Sequence, residues 1–345
     1  MAASFSKQSL FRLSRFSCRC KTSGFLNTKL FASPLVTSGC RHNSSSVHTN
    51  SNKQESEKHE THFGFQSVSE EEKENKVYEV FENVATKYDL MNDAMSAGVH
   101  RLWKDMFLER FSPTPGTKLL DVAGGTGDIA FRFLKYVGTP VGSTFSSSAS
   151  VAQSSSDDSS SSDSEGTQVE NKDSFSEPDI NGSHVTVCDI NQAMLDVGKA
   201  KAKSMGYSSG ISWVKGNAEV LPLPDNTFDA YTIAFGIRNC THVQKVIDEA
   251  YRVLKPGGRF MCLEFSEVKN PLLRSVYDSY SFQVIPVMGQ VIAGDWKSYQ
   301  YLVESIRQFP NQETFAAMIK SAGFRFVNFE NLTFGVAAIH SGFKI

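Results

Sequence analysis

From residue 117 onward the chain alternates between short apolar runs and longer segments whose apolar residues recur every three to four positions. The runs KLLDVA (118–123), HVTVCDI (184–190), ISWVKG (211–216), FDAYTIAF (228–235), RFMCLEF (259–265), FRFVNFE (324–330) and GVAAIHSGF (335–343) predict seven strands. Helical periodicity falls between them at 128–136, 191–205, 242–254 and 312–322. Near-continuously apolar strands separated by helices form a parallel sheet covered on both faces, because each crossover helix buries one side of it. Only a short loop separates the last two runs, which predicts an antiparallel pair at one edge. The fold class is therefore α/β, with a mostly parallel sheet, an antiparallel edge strand and helices on both faces.

Two helices precede the sheet. Residues 69–89, SEEEKENKVYEVFENVATKYD, open with a Ser69 cap and an acidic first turn. Val77, Val80, Phe81, Val84 and Tyr88 then follow at helical spacing. A second helix at 99–111 carries Leu102, Trp103, Met106 and Phe107. Both are placed to cover a pocket above the strand ends. The segment 270–296 is apolar, aromatic and interrupted by Pro286 and Gly289. It reads either as a helical cap on the sheet or as a lid over an apolar ligand that touches a membrane surface. KPGG (255–258) reads as a turn between helix and strand.

Two regions break the rhythm. Residues 143–183 are low-complexity and rich in Ser and Asp, and cannot bury enough apolar surface to offset chain entropy. They predict a disordered surface insertion. Residues 1–50 contain no Asp or Glu, are rich in Ser, and carry Lys7, Arg12, Arg15, Arg19, Lys21, Lys29 and Arg41. Phe5, Leu10, Leu13 and Phe16 mix with these charges in a way that suits a cationic amphipathic helix, the composition of a mitochondrial transit peptide. The domain reading is thus 1–46 as transit peptide, 47–68 as a flexible segment and 69–345 as one domain with the insertion inside it.

Composition adds limits rather than detail. Of 345 residues, 40% are hydrophobic and 21% charged, with a formal net charge of −2, which suits a globular chain with a sizeable core. That balance gives no reason to expect nucleic acid. No apolar run approaches the ~20 residues needed to span a bilayer. Three of the six cysteines lie within the first 40 residues, and Cys188, Cys240 and Cys262 lack metal-like spacing, so reduced thiols and no metal site are expected.

The first strand of the sheet ends in LLDVAGGTGDIA (119–130), where Asp121 precedes a glycine-rich turn that opens a helix. Glycines let backbone approach a ligand closely, and a helix N-terminus supplies unpaired N–H donors. Gly125-x-Gly127-x-x-Ala130 also fits the dinucleotide fingerprint loosely, so the loop alone does not choose a cofactor. Asp121 suits an ammonium and sits poorly beside a pyrophosphate. Asp189, at the end of the second strand, is an acceptor for ribose hydroxyls in either cofactor class. Asn217 and Ala218, in GNAEVLPLPDNTFD (216–229), stand where an adenine edge would be read. The fourth strand ends in FGIRN (235–239), which delivers Arg238 and Asn239 at the same end of the sheet, with Gly236 expected to let the chain turn.

These motifs closely resemble the class I S-adenosylmethionine methyltransferases, and more narrowly the ubiquinone/menaquinone C-methyltransferases. HFGFQSV (62–68), VFENVATKYDLMNDAMSAGVHRLWK (80–104), YRVLKPGGR (251–259), LEFS (263–266) and YLVESIRQFP (301–310) carry the resemblance together with the glycine loop and FGIRN. It covers about residues 62–345 apart from the insertion, which is not a general family feature. The resemblance implies a Rossmann-like seven-stranded sheet and an S-adenosylmethionine cofactor contacted by Asp121, Gly125, Thr126, Gly127, Asp189, Asn217 and Ala218. Some bacterial members carry a serine where this chain has Ala234. The implied reaction is C-methylation of a polyprenyl benzoquinol ring in ubiquinone biosynthesis. Other ubiquinone-biosynthesis proteins, peripheral contact with the matrix face of the mitochondrial inner membrane, and an open question of a homodimer come with it.

A benzoquinol ring becomes a carbon nucleophile when a ring hydroxyl loses its proton, so the implied site needs a proton acceptor and donors for developing phenolate charge. Arg238 is expected to stabilise the phenolate, since a guanidinium does not act as a base. Asn239 is expected to hold a ring oxygen, and Tyr88, with Asp89, to face the ring. His100 reads first as a structural or surface histidine and second as a general base, with Arg101 beside it. Two rival readings stay open on the residues alone: a nicotinamide-dependent oxidoreductase on the same sheet, and a scaffold with a vestigial cofactor pocket.

Overall fold

The computed structural model describes residues 60–84, 88–138 and 180–345, so the expected transit peptide and most of the Ser/Asp-rich insertion lie outside the described residues. The segment expected to be flexible ends instead in a hairpin, β1 (Glu60–Phe63) paired antiparallel with β2 (Gln66–Ser69). Its ordering comes from far along the chain. The Phe63 ring stacks on Tyr301 at 4.0 Å and 7°, and the Phe65 N–H donates to Glu304 Oε2 at 3.0 Å. The C-terminal end of the expected insertion is likewise ordered. Ser183 is buried, its hydroxyl accepts the Gly116 N–H at 3.0 Å, and Asn181 Nδ2 donates to the Val137 carbonyl.

The predicted helix at 69–89 is two elements, α1 (Glu70–Val84) and α2 (Tyr88–Ser96). Ser69 caps α1 as expected, its hydroxyl accepting the Glu72 N–H at 3.2 Å, with Glu70, Glu71 and Glu72 in the first turn. The helix expected at 99–111 is α3 (Val99–Phe111). The alternating part then runs β3 (Lys118–Val122), α4 (Asp128–Val137), β4 (His184–Asp189), α5 (Gln192–Ser204), β5 (Ile211–Lys215) and β6 (Phe228–Ala234). After a single 3-10 turn at Ile237–Asn239 come α6 (Val243–Val253) and β7 (Leu254–Phe265). The segment 270–296 folds into α7 (Pro271–Ser279), a π-helical turn (Tyr280–Val284) and α8 (Ile285–Ala293). The chain closes with α9 (Trp296–Gln308), α10 (Gln312–Ser321), β8 (Arg325–Leu332) and β9 (Ala337–Phe343).

The seven-stranded sheet has the order β5-β4-β3-β6-β7-β9-β8. Pairings from β5 to β7 are parallel, and β9 runs antiparallel to both β7 and β8 at that edge of the sheet. KPGG is not a free turn. It lies within β7, and Gly257 N–H donates to the Lys344 carbonyl while Lys344 N–H donates to Gly258. Two apolar layers sandwich the sheet, and the period of two along each strand assigns its residues between them. Leu119, Val187, Ala230 and Met261 pack with α3 and α4 on one face. Leu120, Cys188, Tyr231 and Phe260 pack with α6 and α10 on the other. Strand order reverses between β3 and β6, and in open α/β sheets the crevice at such a point receives ligands.

Candidate active site

Two strand ends form the floor of the site, and both are strained. Ala123, just after β3, has φ 49°, and Phe235, just after β6, has φ 56°. These left-handed values are uncommon for residues with side chains and mark backbone held by its surroundings. Gly236 follows Phe235 with φ −117°, so its role is not the turn expected from the sequence. A Cβ there would lie 2.4 Å from the Ala123 Cβ, so glycine is needed because the two strand ends touch.

Asp121 is 1% exposed, and Thr232 on the paired position of β6 donates to its Oδ1 at 2.8 Å. Its Oδ2 is buried without a hydrogen-bond partner among the described residues, and burial pushes the carboxyl up to about 7. A buried carboxylate oxygen with no donor is costly, and a ligand ammonium placed there would satisfy it. Gly124 makes room for it, since a Cβ there would lie 2.8 Å from Asp121 Oδ2. Asp189 is fixed by its own loop, with Gly125 N–H donating to Oδ2 at 2.9 Å and Asn191 N–H to Oδ1 at 2.8 Å. Burial raises its pKa while these backbone donors oppose the rise. Asn217 Oδ1 accepts the Glu219 N–H at 2.9 Å, which turns the chain and presents the backbone at Ala218.

Asp121, Gly125, Thr126, Asp189, Asn217 and Ala218 all line one cavity, which α1 closes with Tyr78 and Phe81. Gly127 does not line it. It starts α4 with φ 85° and packs toward the Trp213 ring, which a Cβ would meet at 2.8 Å. The Thr126 hydroxyl is engaged by Lys201 Nζ at 3.3 Å. The residues present therefore fit an amino-acid-plus-nucleoside cofactor: an orphaned carboxylate, a glycine loop and a fixed acidic residue at the next strand end.

A second cavity, about 440 Å³, adjoins the first, and Phe81, Lys104, Phe235 and Asn239 line both. Arg238, Asn239 and His100 all face it. Arg238, expected to stabilise a phenolate, is itself held by a buried carboxylate. Its Nη1 donates to Glu264 Oε1 at 2.9 Å and to the Phe235 carbonyl at 2.5 Å, and its guanidinium lies 5.3 Å from the Phe265 ring centre. Glu264 is 1% exposed, and burial raises its pKa against the pull of Arg238. The buried Arg238 Nε has no hydrogen-bond partner among the described residues. Asn239 Oδ1 accepts from the Tyr301 hydroxyl at 3.1 Å, which orients the carboxamide between the cavities. Lys104, buried, donates to Asp128 Oδ2 at 2.6 Å. Tyr88 begins α2 and Asp89 follows it, but both side chains lie outside the described residues.

Glu264, Lys104 and Tyr301 were given no role on sequence grounds. The signal for Glu264 was legible: a carboxylate near the end of RFMCLEF, an otherwise apolar strand, needs a buried partner. Tyr301 had no comparable signal, because its contact with Asn239 spans 62 positions.

Residues 69–344 match the model of the ubiE/COQ5 methyltransferase family. The mitochondrial 2-methoxy-6-polyprenyl-1,4-benzoquinol methylase of Bos taurus is 60% identical over 292 residues, 85% of this chain and 86% of its own. The Homo sapiens protein of that name is 59% identical, again over 85% of this chain and 86% of its own. Among solved structures, a SAM-dependent methyltransferase from Thermotoga maritima covers 78% of this chain and 100% of its own, at 15% identity and a TM-score of 0.49. With a family match over most of its length and relatives this similar, the chain belongs to the ubiE/COQ5 methyltransferase family.

Proposed function

We propose that this chain transfers a methyl group from S-adenosylmethionine to a ring carbon of a polyprenylated 2-methoxy-1,4-benzoquinol, in mitochondrial ubiquinone synthesis. The observation that carries the reading is the junction of two cavities at the β3 and β6 ends, one with an orphaned carboxylate and one apolar and aromatic. Asp121 would hold the cofactor's ammonium, Asp189 its ribose, and Asn217 with the Ala218 backbone its adenine. When bound, the cofactor supplies a sulfonium-activated methyl group. The chain's own residues must then orient the ring and support negative charge on its oxygen.

Arg238 and Asn239 are the donors for that oxygen. The Arg238–Glu264 pair is close to neutral overall, so Arg238 contributes directed N–H groups more than net charge. The pair also resists movement, because separating two buried charges is unfavourable. Phe235, Phe265 and Trp103 lie within 4.9 to 6.1 Å of one another as ring centroids and offer an aromatic wall for the ring. A dinucleotide would bring its pyrophosphate against the same loop beside Asp121, which counts against the nicotinamide reading.

The segment α7–α8 supports a route for the polyprenyl tail. Tyr277, Tyr280 and Ile285 line the second cavity, while Leu272, Val276 and Val291 of the same segment are 74%, 64% and 79% exposed. A continuous apolar segment with one part facing the cavity and another facing outward suits a membrane-borne substrate. Among the described residues no helix is long and apolar enough to cross a membrane. Peripheral placement on the matrix face of the inner membrane, a transit peptide at residues 1–46 and assembly with other ubiquinone-synthesis proteins belong to the same proposal.

The test is a methyl-transfer assay with a short-tail 2-methoxy-benzoquinol, run anaerobically on wild type and Arg238→Ala. Wild type should methylate the ring carbon, and Arg238→Ala should bind cofactor normally but lose turnover. A wild type that binds S-adenosylmethionine yet never methylates the ring would overturn the catalytic reading and favour a scaffold.

A further inference from the structure

His100 sits in the first turn of α3, just after a corner formed by Ala97 (φ 48°) and Gly98 (φ 76°), and lines the second cavity, as Arg238 and Asn239 do. It is 8% exposed. The Ser96 hydroxyl reaches both the Asn92 carbonyl, at 2.7 Å, and His100 Nδ1, at 2.8 Å. A hydroxyl has one proton, and here it goes back to the helix carbonyl. Ser96 Oγ must then accept from the imidazole, which it also does from the His100 backbone N–H at 3.3 Å. The ring is therefore the Nδ1–H tautomer, and its lone pair lies on Nε2. Among the described residues Nε2 has no hydrogen-bond partner, and the nearest paired carboxylate oxygen, Asp93 Oδ1, is 3.8 Å away.

We propose that His100 Nε2 is the proton acceptor of the reaction, taking the proton of an acceptor-ring hydroxyl as the new carbon–carbon bond forms. The proposal rests on the methyltransferase reading above. The ring O–H bond breaks, its proton moves to Nε2, and its electron pair feeds the ring carbon that attacks the methyl group. The carbon–carbon bond forms as the sulfur–methyl bond breaks with its pair staying on sulfur. The methylated carbon then gives its hydrogen to water as a proton while the imidazolium returns its own to the ring oxygen. The sum is methylated benzoquinol, a neutral sulfide and one released proton.

Among the described residues, the charged groups at and behind this cavity are already committed. Lys104 and Arg132 both hold Asp128, and Arg101 holds Asp93 through contacts of 2.6 and 2.5 Å. Arg238 is bound to Glu264 and does not act as a base. Around His100 the charges are Asp93 from α2, Arg101 and Lys104 from α3, and Asp128 from α4. Burial outweighs them, and with Lys104 it lowers the imidazole to about 4, so the ring is neutral and ready to accept at physiological pH. A ring hydroxyl is weakly acidic before carbon–carbon bond formation and strongly acidic after it. A base of intermediate strength accepts the proton within that change, without needing to ionise the ground state.

Two measurements test this. Nitrogen-15 NMR of the imidazole in cofactor-free protein should show Nδ1 protonated, and anaerobic addition of a short-tail 2-methoxy-benzoquinol should shift Nε2 as it accepts a hydrogen bond. This readout does not depend on turnover, so it stands even if the methyl-transfer reading fails for wild type. In single-turnover kinetics, His100→Asn should lose about 10²- to 10⁴-fold in rate with cofactor affinity unchanged, the usual scale of general base catalysis. Its residual rate should climb with pH as the ring hydroxyl ionises in solution. A rate and pH profile equal to wild type would overturn the proposal, as would an Nε2 resonance indifferent to the benzoquinol. If His100→Asn folds poorly, Ser96→Ala replaces it: losing the acceptor for Nδ1–H should lower the rate without changing cofactor affinity, and an unchanged rate would overturn the assignment.

Discussion

Asp121→Asn separates two costs that the site combines. Asp121 is a buried carboxylate lining the first cavity, and burial raises its pKa from 3.8 to about 7. At about 1.4 kcal/mol per pKa unit, that rise corresponds to roughly 4 kcal/mol of penalty for the ionised form in the empty protein. The sign follows from proton counting. Between pH about 4 and 7 the folded state holds a proton that the unfolded state has lost, so stability falls as pH rises through this window. Asparagine keeps an oxygen to accept from Thr232 and carries no charge, so the variant should lack this slope. Cofactor-free Asp121→Asn should therefore melt above wild type at pH 8. Cofactor binding reverses the comparison. An ammonium on Oδ2 makes a charge-assisted hydrogen bond of about 1.5–3 kcal/mol, so the variant should bind S-adenosylmethionine roughly ten- to 150-fold more weakly. Wild type should release a proton on binding below pH 7, because the carboxyl must ionise. Thermal melts from pH 5 to 8, with calorimetry in two buffers of different ionisation enthalpy, measure all three effects. Undiminished cofactor affinity in the variant, or a cofactor-free variant less stable than wild type at pH 8, would refute the reasoning.

The remaining predictions concern packing and charge. Gly236→Ala places a Cβ 2.4 Å from that of Ala123, so the β3 and β6 ends must part. Urea denaturation should show a loss of about 1–3 kcal/mol, the usual cost of overpacking. Glu264→Ala strands the buried Arg238 guanidinium and should destabilise by about 3–5 kcal/mol, whereas Arg238→Leu with Glu264→Leu should recover much of that loss. His340 is 2% exposed with Nδ1 unpartnered, and burial lowers its pKa from 6.5 to about 4. Its unfolded form takes up a proton first on acidification, so its contribution to stability is present above pH about 6.5 and lost as pH falls toward 4. An acid melt series on His340→Leu should lack that part of the decline.

What the sequence determined by itself is the local and periodic part of the protein. Apolar runs between amphipathic segments required a parallel sheet, and the seven runs became its seven strands with ends shifted by a few residues. The glycine loop, Asp121, Asp189 and Asn217 were legible because each lies at or just beyond the C-terminal end of a strand, and parallel strands deliver those ends to one side of the sheet. The hairpin at residues 60–69 was not legible, because its strands are four residues long and its order depends on Phe63 stacking on Tyr301. Tertiary structure alone decided the state of Arg238. From sequence it was a cation at a strand end, but β6 and β7 are neighbours in register, and that brings Glu264 across to neutralise it. Gly236 changed meaning for the same reason, since its constraint comes from Ala123 on the adjacent strand and not from its own backbone angles. Side chains gain their chemistry from partners that strand register supplies, and register is a long-range property that no short stretch of sequence contains.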